Sequence, residues 1–238
     1  MATQIELAGI VLDVVKKDIK NIHLSVYPPT GRVRISAPLR MTVDTIRLFA
    51  ISKLAWIKQQ QTILREQERE SPREYLDRES HYVWGRRYLL KVVEEDAAPG
   101  VQLQHSKLIL RMRAGSHESL RAAVLADWYR RILKVEAAAR ISEWQRRLNV
   151  QVNGFYVQQM KTRWGSCNPL AGTIRLNTEL AKKPKECLDY IVLHEMIHLL
   201  DSTHGPGFVA LMDRFMPAWR ETRNLLNSLP ARHEQWSY

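Results

Sequence analysis

Apolar and polar positions alternate with period two at the start of the chain. Residues 5–16 and 22–37 carry this pattern, with Ile22, Leu24 and Val26 on one side of Pro28-Pro29-Thr30-Gly31 and Val33 and Ile35 on the other, before Pro38. A hairpin is expected there. The period then changes. Thr42 is placed to cap a helix running to about Glu70, with Val43, Ile46, Phe49, Ile57 and Leu64 at helical spacing. The polar tract from Gln59 to Glu79 reads as the solvated end of that helix and a linker around Pro72. Alternation returns over 82–93, around Gly85, and over 101–112, around Ser106-Lys107.

From Ser116 the pattern is helical to about Leu148. The expected buried face is Leu120, Val124, Trp128, Ile132, Val135, Ala139 and Trp144, and the opposite face carries Arg121, Arg130, Arg131, Lys134, Arg140, Arg146 and Arg147. Interspersed Glu118, Asp127, Glu136 and Glu143 suit i,i+4 pairing on that face. Residues 152–180 read as one or two strands around Trp164-Gly165-Ser166-Cys167, with a return over Gly172 to Asn177. A helix over 184–200 follows, opened by Pro184, which costs nothing in a first turn. Asp201 is expected to take a left-handed turn. His204-Gly205-Pro206-Gly207 breaks the chain, and helices over 208–216 and 217–229 complete it. No internal repeat is apparent. The expected architecture is α+β: a β-rich region with one helix over 1–115, and a second domain over 116–238.

Composition bounds the class. The chain has 238 residues, 45% hydrophobic and 26% charged, enough for a substantial core. No window of 18 apolar residues exists, so no membrane span is expected. The run Ile5–Val15 is interrupted by Glu6 and Asp13 and lacks a basic leader, so it does not read as a signal peptide. Two cysteines, Cys167 and Cys187, imply no disulfide framework and point to the cytoplasm. The net charge of +11 is uneven: residues 1–150 carry +9 and residues 151–238 carry +2. A basic surface attracts phosphate polymers, so DNA binding through the N-terminal region is one reading and a generally basic surface the other. Oligomeric state is not legible.

The chemistry lies in the helix over 184–200. It contains His194-Glu195-Met196-Ile197-His198, with His204 six residues on. Helix positions i and i+4 are neighbours, about 6 Å apart, so His194 and His198 can address one ion while Glu195 flanks a bound water. Leu188, Ile191, Val192, Leu193, Ile197, Leu199 and Leu200 surround them. Polar groups on a buried helix need a reason to be there, because burial without a partner is costly. Trp164 and Trp219 are expected as core anchors, Cys187 as an inert buried thiol, and His23, His81, His105, His117 and His233 as surface residues. Asp201 is a candidate partner for a ligand histidine.

These motifs resemble a known family. Met160-Lys-Thr-Arg-Trp-Gly-Ser-Cys167, Gly172-Thr-Ile-Arg-Leu-Asn177, Leu188 through His198, and His204-Gly-Pro-Gly-Phe208 are similar to the YgjP-like metallopeptidases, relatives of the SprT-like (Spartan-type) zinc proteases. The resemblance is specific over 152–229 and looser over 5–150. It implies a zincin-like catalytic domain with zinc held by His194, His198 and His204, and Glu195 as general base. A polypeptide is then the expected substrate, conceivably one associated with DNA, and the strand Thr173–Asn177 is expected to offer it an edge. Arg163, Arg175 and Asn177 are the candidate oxyanion stabilisers. The alternatives are metal-dependent hydrolysis of nucleoside triphosphates to release diphosphate, against which stands the lack of a glycine-rich phosphate loop, and a non-enzymatic DNA-binding protein with a vestigial metal site.

Overall fold

The computed structural model describes residues 2–27, 30–66, 74–160 and 163–229, which form two compact units, 2–66 and 74–229. The architecture is α+β, as the sequence predicts.

In the first unit, β1 (Ala2–Leu7), β2 (Ile10–Lys17), β3 (His23–Tyr27) and β4 (Arg32–Pro38) make a sheet of order β1-β2-β4-β3, with β2 and β4 parallel at its centre. Leu12 and Val14 pair in register with Val33 and Ile35, so one face is apolar. Ile46, Ala50 and Ile57 cover that face, and all seven side chains are buried. Asp13 is buried as well and accepts hydrogen bonds from Arg32 and Gln4. Thr42 caps α1 (Val43–Ser52) as expected, its hydroxyl accepting from Thr45 N at 3.2 Å. The single expected helix is two. Ser52 Oγ donates back to Phe49 O at 2.8 Å, and Lys53 leaves helical geometry before α2 (Leu54–Glu66) begins. Such back-bonding competes with the helical ladder. The part of the expected helix beyond Glu66, and His233, lie outside the described residues.

In the second unit, β5 (Ser80–Val83), β6 (Arg86–Glu94), β7 (Gly100–Gln104) and β8 (Lys107–Met112) repeat that topology: order β5-β6-β8-β7, with β6 and β8 parallel. Both sheets open with a two-residue hairpin whose central residues lie in the left-handed region, Ala8-Gly9 (φ 50° and 77°) and Trp84-Gly85 (φ 50° and 78°). Both place a buried apolar pair near the start of the parallel ladder, Leu12–Val33 and Leu90–Leu108. The sequence shows no repeat because alternation tolerates any apolar residue, so one topology survives with few shared identities.

The unit boundary differs from the one expected at 115/116. The strands over 80–112 share a core with the helices that follow: Val83, Leu90, Leu108, Leu110 and Met112 pack with Leu125, Trp128, Leu133 and the later helices. The hairpin tip is fixed there by backbone hydrogen bonds, Trp84 N to Ala181 O at 2.9 Å and Gly85 N to Lys182 O at 3.2 Å.

Helix α3 (Glu118–Leu148) buries Leu125, Trp128, Tyr129, Leu133, Ala137, Ile141, Trp144 and Leu148. The predicted face is rotated from this one. Trp128 and Trp144 are common to both, but Leu120 and Val135 are exposed, Val135 at 74%. The helix is apolar on more than one side, so periodicity alone does not choose the face. Side-chain pairing chooses it: Trp144 Nε1 donates to Asp189 at 2.8 Å, Lys185 pairs with Glu136 at 2.6 Å, and Tyr129 OH donates to Tyr82 O at 2.8 Å.

The third sheet has β9 (Gly154–Gln158), β10 (Gly165–Asn168) and β11 (Thr173–Asn177) in the order β10-β11-β9. A 3₁₀ turn (Thr178–Lys182) leads to α4 (Lys185–Ile197), which is buried on nearly all sides, and α5 (Pro206–Phe215) and α6 (Trp219–Ser228) follow. Among the described residues, no helix is long and apolar enough to cross a membrane.

Candidate functional site

Helix α4 carries the chemistry because its surroundings leave it no other face. Cys187, Leu188, Val192, Leu193, Met196 and Ile197 are fully enclosed, each worth about 1.5–3 kcal/mol of burial for the larger side chains. His194, Glu195 and His198 emerge on the strip facing β10 and α5. The helix ends at His198, and the chain turns through Asp201 to bring His204 back over it.

The three imidazoles converge. Their ligand-capable atoms lie within 4.8 Å of one another, and His194 Nε2 stands 3.0 Å from His204 Nε2. Two nitrogens about 2.05 Å from one tetrahedral ion stand roughly 3.3 Å apart, so the spacing suits a shared metal. The donor set also fits. His198 Nδ1 is 3.0 Å from Asp201 O, an acceptor, so Nδ1 carries the proton and Nε2 is left as a lone-pair donor. Burial holds His194 protonation down, to a pKa of about 4, with help from the neighbouring histidines and Arg223; burial also lowers that of His204. Neutral imidazoles are what a cation requires.

Asp201 thus acts on His198 as foreseen, but through its carbonyl. It does not take the expected left-handed conformation. Its carboxylate accepts from Thr203 N and Oγ1, both at 2.9 Å, and from the Phe208 backbone at the start of α5, which holds the turn carrying His204. Phe208 itself was visible in the motif but its role was not. It is buried, and its ring centroid lies 4.8–4.9 Å from all three imidazole centroids, forming an apolar floor beneath them.

Glu195 is 6% exposed and lies against β10. A Cβ on Gly165 would stand 2.7 Å from its Oε1 and 2.8 Å from its Cγ, so the absence of a side chain at 165 makes room for the carboxylate. Burial pushes the Glu195 pKa up to about 7, partly opposed by Arg163. A carboxylate near neutrality can both take and return a proton.

A cleft of about 590 Å³ opens here, lined by the histidines, Glu195, Ile191 and the segment Arg163 to Cys167 with Pro169. Trp164 therefore lines the cleft and is half-buried, whereas Trp219 is a buried anchor stacked on Tyr190 (centroids 6.4 Å, 8° between planes). Cys167 also faces the cleft, and burial pushes its thiol up to about 11. Cys187 is enclosed as expected, and His23, His105 and His117 are exposed. His81 is not a surface residue: it is 1% exposed and lies 3.3 Å from Glu79, because β5 turns it inward beside Tyr75.

The strand expected to offer an edge, Thr173–Asn177, has no free one. β11 has β10 on one side and β9 on the other, so its ladder is already used, and β10 is the edge strand lining the cleft. Of the three candidate oxyanion stabilisers, Arg163 lines the cleft. Arg175 sits over the Tyr156 ring at 5.9 Å on the exposed face of the sheet. Asn177 is buried and fully engaged: Nδ2 donates to Met160 O and Arg163 O at 2.9 and 2.8 Å, and Oδ1 accepts from Glu179 N at 3.2 Å.

Three neutral-leaning histidines around one point, with a buried carboxylate beside them and an open strand edge, are the parts of a metal-dependent hydrolase. The sequence places the chain more narrowly: residues 20–229 match the model of the YgjP-like metallopeptidase domain, and the protein belongs to that family. Among solved structures it is similar to the metallopeptidase zymogen of Pyrococcus abyssi abylysin (20% identity, TM-score 0.36, 38% of this chain and 90% of that one). It is also similar to the metallopeptidase zymogen of Methanocaldococcus jannaschii jannalysin (24% identity, TM-score 0.35, 38% of this chain and 92% of that one). Comparison with curated proteins finds no match.

Proposed function

We propose that the protein is a zinc-dependent peptidase in which His194, His198 and His204 hold the ion and Glu195 is the general base. The observation that carries this reading is the convergence of the three imidazoles within 4.8 Å of one another, beside the buried Glu195 carboxylate. A zinc ion held by these three histidines would supply Lewis acidity, acidifying a water toward a pKa of ~7 and polarising the scissile carbonyl. Glu195 takes the proton from the attacking water and delivers it to the leaving amine, so no charge is stranded on the departing nitrogen. The β10 edge receives the substrate main chain as an added strand, which suits an extended polypeptide better than a compact phosphate group. Arg163, on the rim, is placed to meet the negative charge that develops on the carbonyl oxygen.

The test is cleavage of an unstructured protein by zinc-loaded wild type and by Glu195→Gln, beside diphosphate release from a nucleotide panel. Loss of cleavage in the variant with zinc retained supports the reading. Nucleotide turnover without cleavage replaces it with the phosphoanhydride alternative. Action on DNA-associated proteins extends the same reading, resting on the +9 of residues 1–150. It requires DNA binding that weakens steeply with salt.

A further inference from the structure

The sheet of β5, β6, β8 and β7 has two unlike faces. Val83, Leu90, Leu108, Leu110 and Met112 point inward and are buried with α3 and the later helices. Strand residues alternate, so their chain neighbours stand on the opposite face. The ladder fixes how those align: Tyr82 is opposite Arg87, Leu89 beside Lys107, and Lys91 beside Ile109. That face stays open. Tyr82, Arg87, Leu89, Lys91 and Lys107 are exposed, and Ile109 and Arg111 are half-buried. Along each central strand the order is cation, apolar residue, cation: Arg87, Leu89, Lys91 on β6 and Lys107, Ile109, Arg111 on β8. The two cations of a strand stand about 13 Å apart. On β7 the same face carries Gln102 and Gln104.

None of the strand positions on this face is acidic. Among the described residues, Arg87, Lys91, Lys107 and Arg111 make no ion pair. Arginines elsewhere do: Arg130 and Arg131 pair with Asp127, Arg140 with Glu136 and Arg147 with Glu143 on α3, and Arg32 with Asp13 in the first sheet. Four unpaired cations on one surface attract a polyanion. The residues between them decide which kind. A duplex hides its base planes, and its major groove admits a helix or a two-stranded ribbon rather than a four-stranded sheet. Tyr82, Leu89 and Ile109 would be idle against it. A single strand presents phosphates and base faces together, and base faces stack on an exposed aromatic ring. The central strands offer no neutral hydrogen-bonding side chain to a 2′-hydroxyl, the group that distinguishes RNA. Deoxyribose therefore meets this face at the smaller desolvation cost.

We infer that this open face binds single-stranded DNA, with Arg87, Lys91, Lys107 and Arg111 holding phosphates and Tyr82 stacking on a base. It gives a surface to the DNA-associated extension of the reading above, on which it rests, and does not draw on the peptidase chemistry. The face belongs to the unit that holds the cleft. Its first hairpin is tied by Trp84 and Gly85 to Ala181 and Lys182, just before α4. A protein attached to the bound strand is thus delivered to the unit that carries the histidines.

The test measures the anisotropy of a labelled oligothymidine on the full chain, beside an oligouridine and a duplex of equal length and an acidic peptide of equal charge. The oligothymidine should bind tightest, by at least about fivefold, the weight of one stacked base. Its affinity should fall about 50-fold between about 50 and 200 mM salt, as four phosphate contacts require. Lys91→Gln with Lys107→Gln should cut that fall to about sevenfold. Tyr82→Ala should weaken binding at least about fivefold and leave the salt dependence unchanged. Arg130→Gln with Arg131→Gln, on α3, should bind as wild type does. Circular dichroism melts establish that each variant is folded. No binding at low salt, equal or tighter binding of the duplex, the RNA or the peptide, equal losses in the α3 and sheet variants, or full affinity in Tyr82→Ala would overturn the inference. Any of these in a protein that still cleaves an unstructured substrate leaves the peptidase reading intact.

Discussion

Gly165→Ala is the sharpest test of how Glu195 is positioned. Gly165 is not in the left-handed region, so alanine costs no backbone strain there. Its new Cβ would stand 2.7 Å from Glu195 Oε1, 2.8 Å from Cγ and 3.0 Å from Cδ. Ordinary contact begins near 3.4 Å, so the carboxylate must retreat by roughly 0.7 Å or more, and all three of its nearest atoms must move together. A displacement approaching 1 Å at a reacting group costs about 10²-fold in rate, or roughly 2.7 kcal/mol of barrier. The three atoms nearest the new Cβ all belong to Glu195 and none to the histidines, so metal content should hold at the wild-type level. The assay pairs zinc quantification with kcat on an unstructured protein. Gly154→Ala, in the same sheet, is the control: its Cβ would meet nothing nearer than Tyr156 OH at 4.0 Å, and it should leave kcat within about twofold. Wild-type kcat in Gly165→Ala would refute the placement of Glu195 against β10.

Other consequences follow from single contacts. Asn177→Ala removes the side chain that ties Met160, Arg163 and Glu179 together. It should lower stability by about 1–3 kcal/mol in denaturant melts and reduce cleavage beyond that effect, since the Arg163 segment loses its anchor. Gly85→Ala meets both a left-handed φ of +78° and a Cβ 2.8 Å from Pro184 Cγ, so it should cost at least about 1–2 kcal/mol and lower Tm. Phe208→Ala opens the floor under the imidazoles; a loss of about 3–5 kcal/mol is expected, with weaker zinc retention in competition with a chelator. Asp13, held below its ordinary value of 3.8 mainly by the Arg32 hydrogen bond, stabilises the first unit above that pH and ceases to as pH falls through its lowered pKa. Asp13→Asn should therefore flatten the acid limb of the stability profile below about pH 4, read by circular dichroism.

What the sequence revealed was whatever depends on local spacing. His194, Glu195 and His198 declare themselves by their i, i+4 interval, and His204 by its place before a Gly-Pro-Gly corner. Thr42 was readable as a cap because its role is purely local. What stayed hidden depends on contacts between distant segments. Phe208 is one apolar residue among many until α5 folds back beneath the imidazoles. Gly165 matters only because α4 passes beside β10. The edge of the third sheet is not legible because strand order, β10-β11-β9, is not written in alternation. The buried face of α3 is hidden for a related reason: with apolar residues on more than one side, the choice falls to Asp189, Lys185 and Tyr82, none of them in that helix. The repeated sheet topology leaves no mark in the sequence because backbone pairing preserves it without preserving residues.

In the proposed reading, three histidines hold one ion and Glu195 moves the proton. Metal analysis and proteolysis on the same protein samples test it most directly. About one zinc per chain is expected in wild type and in Glu195→Gln, with loss of zinc in His194→Ala and cleavage in wild type alone. One zinc per chain in His194→Ala, or undiminished cleavage by zinc-loaded Glu195→Gln, would contradict it.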